Sequence, residues 1–181
     1  MSMKVPLSQR TKALFVIDVQ PEFLDQRSQY IVGNILKLLQ TSTYEQYVVA
    51  TFYAEAGSLW DVQQRWTCPR SETVPDVVRA LVSKNPIHVE KQTRSVFRGN
   101  ADLRSPLEER GIQEVHLVGT QTNDCILATA LDSFDTGFVP YVIEECCEGP
   151  TKELHDAGLQ LLRRQNMTNN SCIEDIDYLT I

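Results

Sequence analysis

The chain has 181 residues, 42% of them hydrophobic and 23% charged, with a formal net charge of −7. That composition fits a globular chain long enough to bury a full core, and its acidity argues against nucleic acid or anionic membranes as partners. No apolar run reaches the length of a membrane span, and the opening MSMKVPLSQRTK has no signal core. The five cysteines, at 68, 125, 146, 147 and 172, match neither a disulfide framework nor a zinc clip. The expectation is one domain over residues 1–181, cytoplasmic and reduced, with a small-molecule substrate or a protein partner.

In chain order, ALFVIDV (13–19) is nearly all apolar, as suits a strand buried on both faces of a parallel sheet, and Pro21 ends it. Its one charge, Asp18, lies near the carboxyl end, where open α/β sheets bind ligands; the structural alternative is a cap for the turn QPEF. QYIVGNILKLLQ (29–40) sets Ile31, Val32, Ile35, Leu38 and Leu39 at helical spacing, and YVVATFY (47–53) reads as a second buried strand. Residues 54–72 are weakly periodic and contain Trp60 and Trp66. They form an excursion at the carboxyl end of that strand, whose tryptophans wall a pocket or fill an oligomer interface.

TVPDVVRALVSK (73–84) reads as a helix capped by Thr73, with Val77, Val78, Leu81 and Val82 inward. PIHVEK (86–91) is a third strand ending in Lys91; His88 is a core or sheet-face residue, and Lys91 taken alone is a solvated strand end. QTRSVFRGN (92–100) is a loop, and ADLRSPLEERG (101–111) a short helix closed by Gly111.

EVHLVGTQTNDCILATALDSF (114–134) joins a short buried strand to a helix with Ile126, Leu127, Ala130, Leu131 and Phe134 at helical spacing. Between them a polar turn delivers Cys125 to the first turn of the helix. There, unpaired N–H groups and the helix dipole favour a thiolate over a thiol. The alternative is a small apolar residue packing helix against sheet. VPYVIEE (139–145) is a fifth strand; residues 148–166 are a helix with Leu154, Ala157, Leu161 and Leu162 inward and a structural His155. The tail, 171–181, supplies a short last strand or a closing segment. Strand and helix alternate throughout, which predicts an α/β fold with a parallel sheet covered on both faces.

Asp18, Lys91 and Cys125 thus stand at the carboxyl ends of three strands, where a parallel sheet can bring them to one edge. A carboxylate, an ammonium and a thiol form a coherent set for nucleophilic chemistry. These segments resemble the isochorismatase-like cysteine hydrolases, which include nicotinamidases, N-carbamoylsarcosine amidases and ureidoacrylate amidases. ALFVIDVQPEF resembles the family's first strand with its catalytic aspartate, and VEKQTRSVFRGNADL its lysine segment. VHLVGTQTNDCILATALDSFDTGFVPYVIEE resembles the nucleophile segment and the strand after it.

The resemblance implies a three-layer α/β/α fold with a mostly parallel six-stranded sheet of Rossmann-like order 3-2-1-4-5-6, and a homodimer or homotetramer. It implies that Asp18 moves the proton, that Lys91 stabilises the charged forms and that Cys125 forms a thioester. It also implies a cis peptide between Thr120 and Gln121, with the N–H groups of Gln121 and Cys125 as the oxyanion hole. One departure limits the substrate. Where nicotinamidases carry an Asp-x-His metal motif, FYAEAGS places Tyr53 and Glu55, and the only histidines are His88, His116 and His155. The expectation is therefore a hydrolase without metal or cofactor, cleaving an amide or ureido C–N bond. Phe23, Tyr53, Trp60 and Phe97 are candidate pocket walls, with core packing the alternative for each. Rival readings are a vinyl-ether hydrolase of the isochorismatase type and a non-catalytic protein that keeps the fold.

Overall fold

The computed structural model describes residues 10–169. Its strands are β1 (Lys12–Ile17), β2 (Gln46–Phe52), β3 (Ile87–Lys91), β4 (Glu114–Thr120) and β5 (Val139–Glu148). They form one five-stranded sheet of order β3-β2-β1-β4-β5, and every pairing is parallel. Helices α1 (Tyr30–Thr41), α3 (Pro75–Leu81), α6 (Leu127–Asp135) and α7 (Lys152–Arg164) cover the sheet. Shorter turns are α2 (Leu59–Val62), α4 (Val96–Gly99) and α5 (Arg104–Glu109).

Alternation along β1 builds two cores. Ala13, Phe15 and Ile17 face α4 to α7, packing with Val96, Leu107, Ile126 and Leu162. Leu14 and Val16 face α1 and α3, packing with Ile31, Ile35, Val77 and Leu81. A strand buried on both faces has no room for alternating polar residues, so the apolar run of β1 is what this layer order requires. The strand order reverses between β1 and β4, and the crevice at the carboxyl ends of strands flanking such a switch is where α/β sheets bind ligands.

The three-layer α/β/α architecture is as expected, and the order 3-2-1-4-5 reproduces the first five of the six strands. The segment expected to supply the sixth, 171–181, lies outside the described residues. The chain reaches the free edge of β5 at residue 168, where Val142 and Thr168 form an isolated parallel bridge. Among the described residues no helix is long and apolar enough to cross a membrane.

Several helix faces differ from the sequence reading. Thr73 does not cap α3: the cap position is Val74, and Val82 is 72% exposed beyond the helix in a 3-10 turn. Leu131 and Phe134 of α6 face outward, and that helix buries Thr129, Ala130 and Ser133 instead. In α7, Leu154, Ala157 and Leu161 lie outside, while Gly158, Leu159 and Leu162 are buried. His88 is exposed on β3, as the sheet-face alternative has it and not the core one. Residues 54–72, read as irregular, hold α2, capped by Ser58, and an antiparallel bridge between Ala54 and Cys68.

Candidate active site

β1 ends one residue before Asp18, whose backbone has φ 52°, a left-handed conformation uncommon outside glycine. Its amide donates to the Ala50 carbonyl at 3.0 Å, and its own carbonyl accepts from Thr120 Oγ1 at 2.7 Å. Beside it β4 approaches so closely that a Cβ on Gly119 would lie 2.0 Å from the Ile17 carbonyl oxygen. With φ 122° as well, only glycine fits there. β3 ends at Lys91, and α4 presses on its stem: a Cβ on Gly99 would meet Lys91 Cβ at 2.5 Å.

The peptide between Thr120 and Gln121 is cis, at the expected position. After it the chain forms a π-helical turn, Thr122–Ile126, and Cys125 sits in that turn rather than in the first turn of a regular α-helix. Thr129 anchors the turn from α6, its hydroxyl donating to the Cys125 carbonyl at 2.7 Å and accepting from the Val96 amide at 3.2 Å.

The structure brings the three expected residues together. Lys91 Nζ lies 2.7 Å from Asp18 Oδ2, 3.4 Å from Cys125 Sγ and 3.1 Å from the Thr93 carbonyl oxygen. An ammonium has three protons, and each therefore has an acceptor. Both charged side chains are shut off from solvent, at 0% exposure for Lys91 and 1% for Asp18. Among the described residues the second carboxylate oxygen, Asp18 Oδ1, is buried without a hydrogen-bond partner.

Burial raises the proton affinity of Asp18, and the adjacent Lys91 offsets this only in part. Burial opposes the charge on Lys91, but Asp18 and Cys125 more than compensate, so its affinity is also raised. For Cys125, burial and the nearby Asp18 charge push the thiol well above its ordinary range, against the pull of Lys91. This corrects the expectation of a resting thiolate. The sulfur is a buried thiol beside a carboxylate able to take its proton, because desolvation outweighs the favourable field at a helix start.

Above the sulfur is a cavity of about 260 Å³. Asp18, Gln121 and Cys125 line it together with Phe23, Phe52, Trp60 and Trp66, and its polar margin is Glu22, Gln64 and Asp124. A larger groove beyond Trp60, about 660 Å³, does not reach Cys125. Two expected wall residues, Phe23 and Trp60, are thus at the cavity. The other two are not among its lining: Tyr53 lies under the Arg70 guanidinium at 3.9 Å, and Phe97 is in the core between Phe15 and Phe138.

Trp66, read with Trp60 as a pocket wall or an interface residue, is at the cavity as well; sequence reasoning missed Phe52, Glu22, Gln64 and Asp124. It also missed Gln20, wholly buried, whose amide oxygen accepts from Phe52 N at 2.7 Å while its nitrogen donates to Ser71 Oγ at 2.9 Å. A polar residue placed immediately after a buried strand, like Asp18 before it, was the signal available for Gln20.

Fold and site together define a three-layer α/β protein with Asp18, Lys91 and Cys125 clustered at the switch point of a parallel sheet. Residues 12–174 match the isochorismatase domain, and the chain belongs to the isochorismatase family of hydrolases. Nicotinamidase 3 of Arabidopsis thaliana is 36% identical over 162 residues, covering 83% of this chain and 79% of that protein. An uncharacterised isochorismatase family protein of Bacillus subtilis is 27% identical over 154 residues, covering 81% and 82%. A solved pyrazinamidase/nicotinamidase from Streptococcus mutans superposes with a TM-score of 0.71 at 22% identity, covering 85% of this chain and 96% of that one. A zinc complex of the pyrazinamidase from Pyrococcus horikoshii superposes at 0.70 with 21% identity, covering 87% and 97%.

The residues here do not fit a metal of the nicotinamidase kind. At the place of that motif, Glu55 pairs with Arg70 at 3.2 Å and Tyr53 lies beneath the same guanidinium, so a cation of the chain already holds both side chains. Among the described residues no group of three or more His, Cys, Asp or Glu is placed to hold a metal ion.

Proposed function

We propose that the protein is a metal-independent cysteine hydrolase that cleaves an amide or ureido C–N bond of a small molecule through a thioester. The observation that carries this reading is the contact of one buried ammonium with both Asp18 and Cys125, beside a carboxylate oxygen that has no other partner. In the first half-reaction Cys125 Sγ bonds to the substrate carbonyl carbon as its proton passes to Asp18 Oδ1. The N–H groups of Gln121 and Cys125 serve as the oxyanion hole, and such donors are worth about 3 kcal/mol each. The C–N bond then breaks, Asp18 returns the proton to the leaving nitrogen, and ammonia or an amine departs. In the second half-reaction water gives a proton to Asp18 and its oxygen attacks the thioester. Collapse releases the acid and restores the thiol. Lys91 stays protonated throughout, balancing Asp18 and stabilising the sulfur as it loses its proton.

The pairing of Glu55 with Arg70 supports a substrate other than one held by a metal. We read residues 1–181 as a single hydrolase domain that assembles into a homodimer or homotetramer. Leu131, Phe134, Leu154 and Leu161, exposed on α6 and α7, support assembly, and a monomer by light scattering would contradict it.

Ammonia release screened across primary amides and carbamoyl compounds, nicotinamide among them, tests the activity. The expected result is turnover of at least one compound, undiminished by a chelator and absent in Cys125→Ser. Turnover retained by Cys125→Ser, or abolished by the chelator, would overturn the mechanism.

A further inference from the structure

The charges around the cavity are unevenly matched. Lys91 is sealed beneath it with all three protons held, and Arg94, a surface cation, is paired with the lining residue Asp124 and lies over the Trp60 ring at 4.5 Å. Neither is available to an incoming anion. Glu22 is the opposite case. It is exposed at the cavity margin, and among the described residues no cationic side chain forms a salt bridge with it. A relay fixes its position: Gln20 donates to Ser71 Oγ at 2.9 Å, and Ser71 donates to Glu22 Oε2 at 2.5 Å.

Four aromatic rings in contact with one another line the same cavity as this carboxylate. Phe52 stacks on Trp66 at 5.5 Å and meets Trp60 edge-on at 4.9 Å, while Phe23 lies 5.9 Å from Trp66. Aromatic faces attract organic cations through the ring quadrupole, and a carboxylate beside them adds a full opposite charge. The same surroundings repel a carboxylate-bearing ligand.

We infer that the cavity selects amides or ureides that carry a positive charge, an alkylammonium or quaternary ammonium group, at the end remote from the scissile bond, with Glu22 as the specificity-determining residue. This rests on the C–N hydrolase reading above and names the substrate class for that site. The scissile carbonyl sits at Cys125, the cation is held by Glu22 and the rings, and the cavity of about 260 Å³ limits the connecting chain to a few carbons. No chemistry beyond the hydrolysis already described is required.

Three matched probes test it: a trimethylammonium butyramide, its uncharged tert-butyl isostere and the corresponding carboxylate. Binding is read first, on Cys125→Ser, which cannot turn them over. The chain's only two tryptophans, Trp60 and Trp66, both line the cavity, so tryptophan fluorescence reports on it, although Trp60 also borders the larger groove. The cationic amide should bind about tenfold more tightly than the isostere, and the carboxylate more weakly than either. Adding Glu22→Gln, an exposed change that leaves the core untouched, should shrink the cationic preference to about twofold. Equal binding of the cationic and uncharged amides would overturn the inference. So would a preference that survives Glu22→Gln, or no detectable binding of the cationic amide. Ammonia release by the unmodified enzyme is scored separately: its absence alongside a Glu22-dependent preference counts against the hydrolase reading and not against the cation site.

Discussion

At the amino ends of β1 and β4, Glu114 is buried between His116 at 2.6 Å and Lys12 and Arg10, each at 3.4 Å. His116 completes its contacts with the Tyr44 hydroxyl at 2.9 Å and a stacked Tyr141 ring. At the carboxyl ends of the same strands Asp18 is buried, and among the described residues it has Lys91 as its one ion-pair partner and one oxygen without a hydrogen bond. Burial opposes both carboxylates. His116 and Lys12 nonetheless bring Glu114 below its ordinary value, whereas Asp18 stays above its own. Two carboxylates on one sheet therefore shift in opposite directions, and the difference lies first in the deeper burial of Asp18 and then in the partners each has. On the function proposed above, the matched cluster serves the fold and the under-matched one serves the reaction.

Removing the single partner at the reactive rim should have the largest effect. Lys91→Met leaves Asp18 charged and unpaired in the interior. It should cost about 3–5 kcal/mol in urea unfolding and abolish turnover. Unchanged stability would mean the two rims do not differ in this way. At the opposite rim Glu114→Gln should cost about 1–3 kcal/mol, because several donors share the loss, and should leave kcat/KM within about twofold. A large loss of activity there would erase the distinction.

The pH dependences sharpen the contrast. Glu114 titrates lower in the folded state than its ordinary 4.5, so the unfolded chain binds more protons in that range and stability rises with pH. The stability advantage of the natural protein over Glu114→Gln should therefore shrink as pH falls below 4.5, measured by urea unfolding at several pH values. Asp18 has the opposite sign. Its folded value lies above 3.8, so its contribution to stability declines as pH rises through that value. On the proposed mechanism turnover needs it charged and should fall on acidification through that same value, seen in the acid limb of a kcat/KM profile.

The smallest effect should come from behind the reactive rim. His155 Nδ1 lies 2.8 Å from Thr122 Oγ1 in the nucleophile turn and 3.3 Å from Glu148. His155→Ala should lower kcat by roughly threefold to tenfold with little change in KM, read from steady-state rates.

The strand ends were legible because a charge inside an apolar run is conspicuous: Asp18 after ALFVI and Lys91 after IHVE announce themselves. Their convergence followed from parallel topology, and the cis position from resemblance. The helix faces were less legible. The buried face of α6 keeps α-helical spacing from Ile126 through Thr129, Ala130 and Ser133, but two of its members are polar, so apolar spacing alone picks out Leu131 and Phe134 instead. In α7 the decisive contact is a close approach, since a Cβ on Gly158 would lie 2.8 Å from Asn123 Cα. Apolar spacing favours Leu154 and Leu161 and carries no trace of that fit. Nor does sequence disclose how thoroughly a thiol is desolvated, and for Cys125 that factor set the direction of its proton affinity.

Mass spectrometry of the intact protein, quenched in acid during turnover of a substrate found in the screen, tests the central claim most directly. The account predicts a mass increase equal to the acyl group, mapped by peptide digestion to Cys125 and absent from Cys125→Ser. Turnover with no covalent adduct, or an adduct confined to another cysteine, would contradict it.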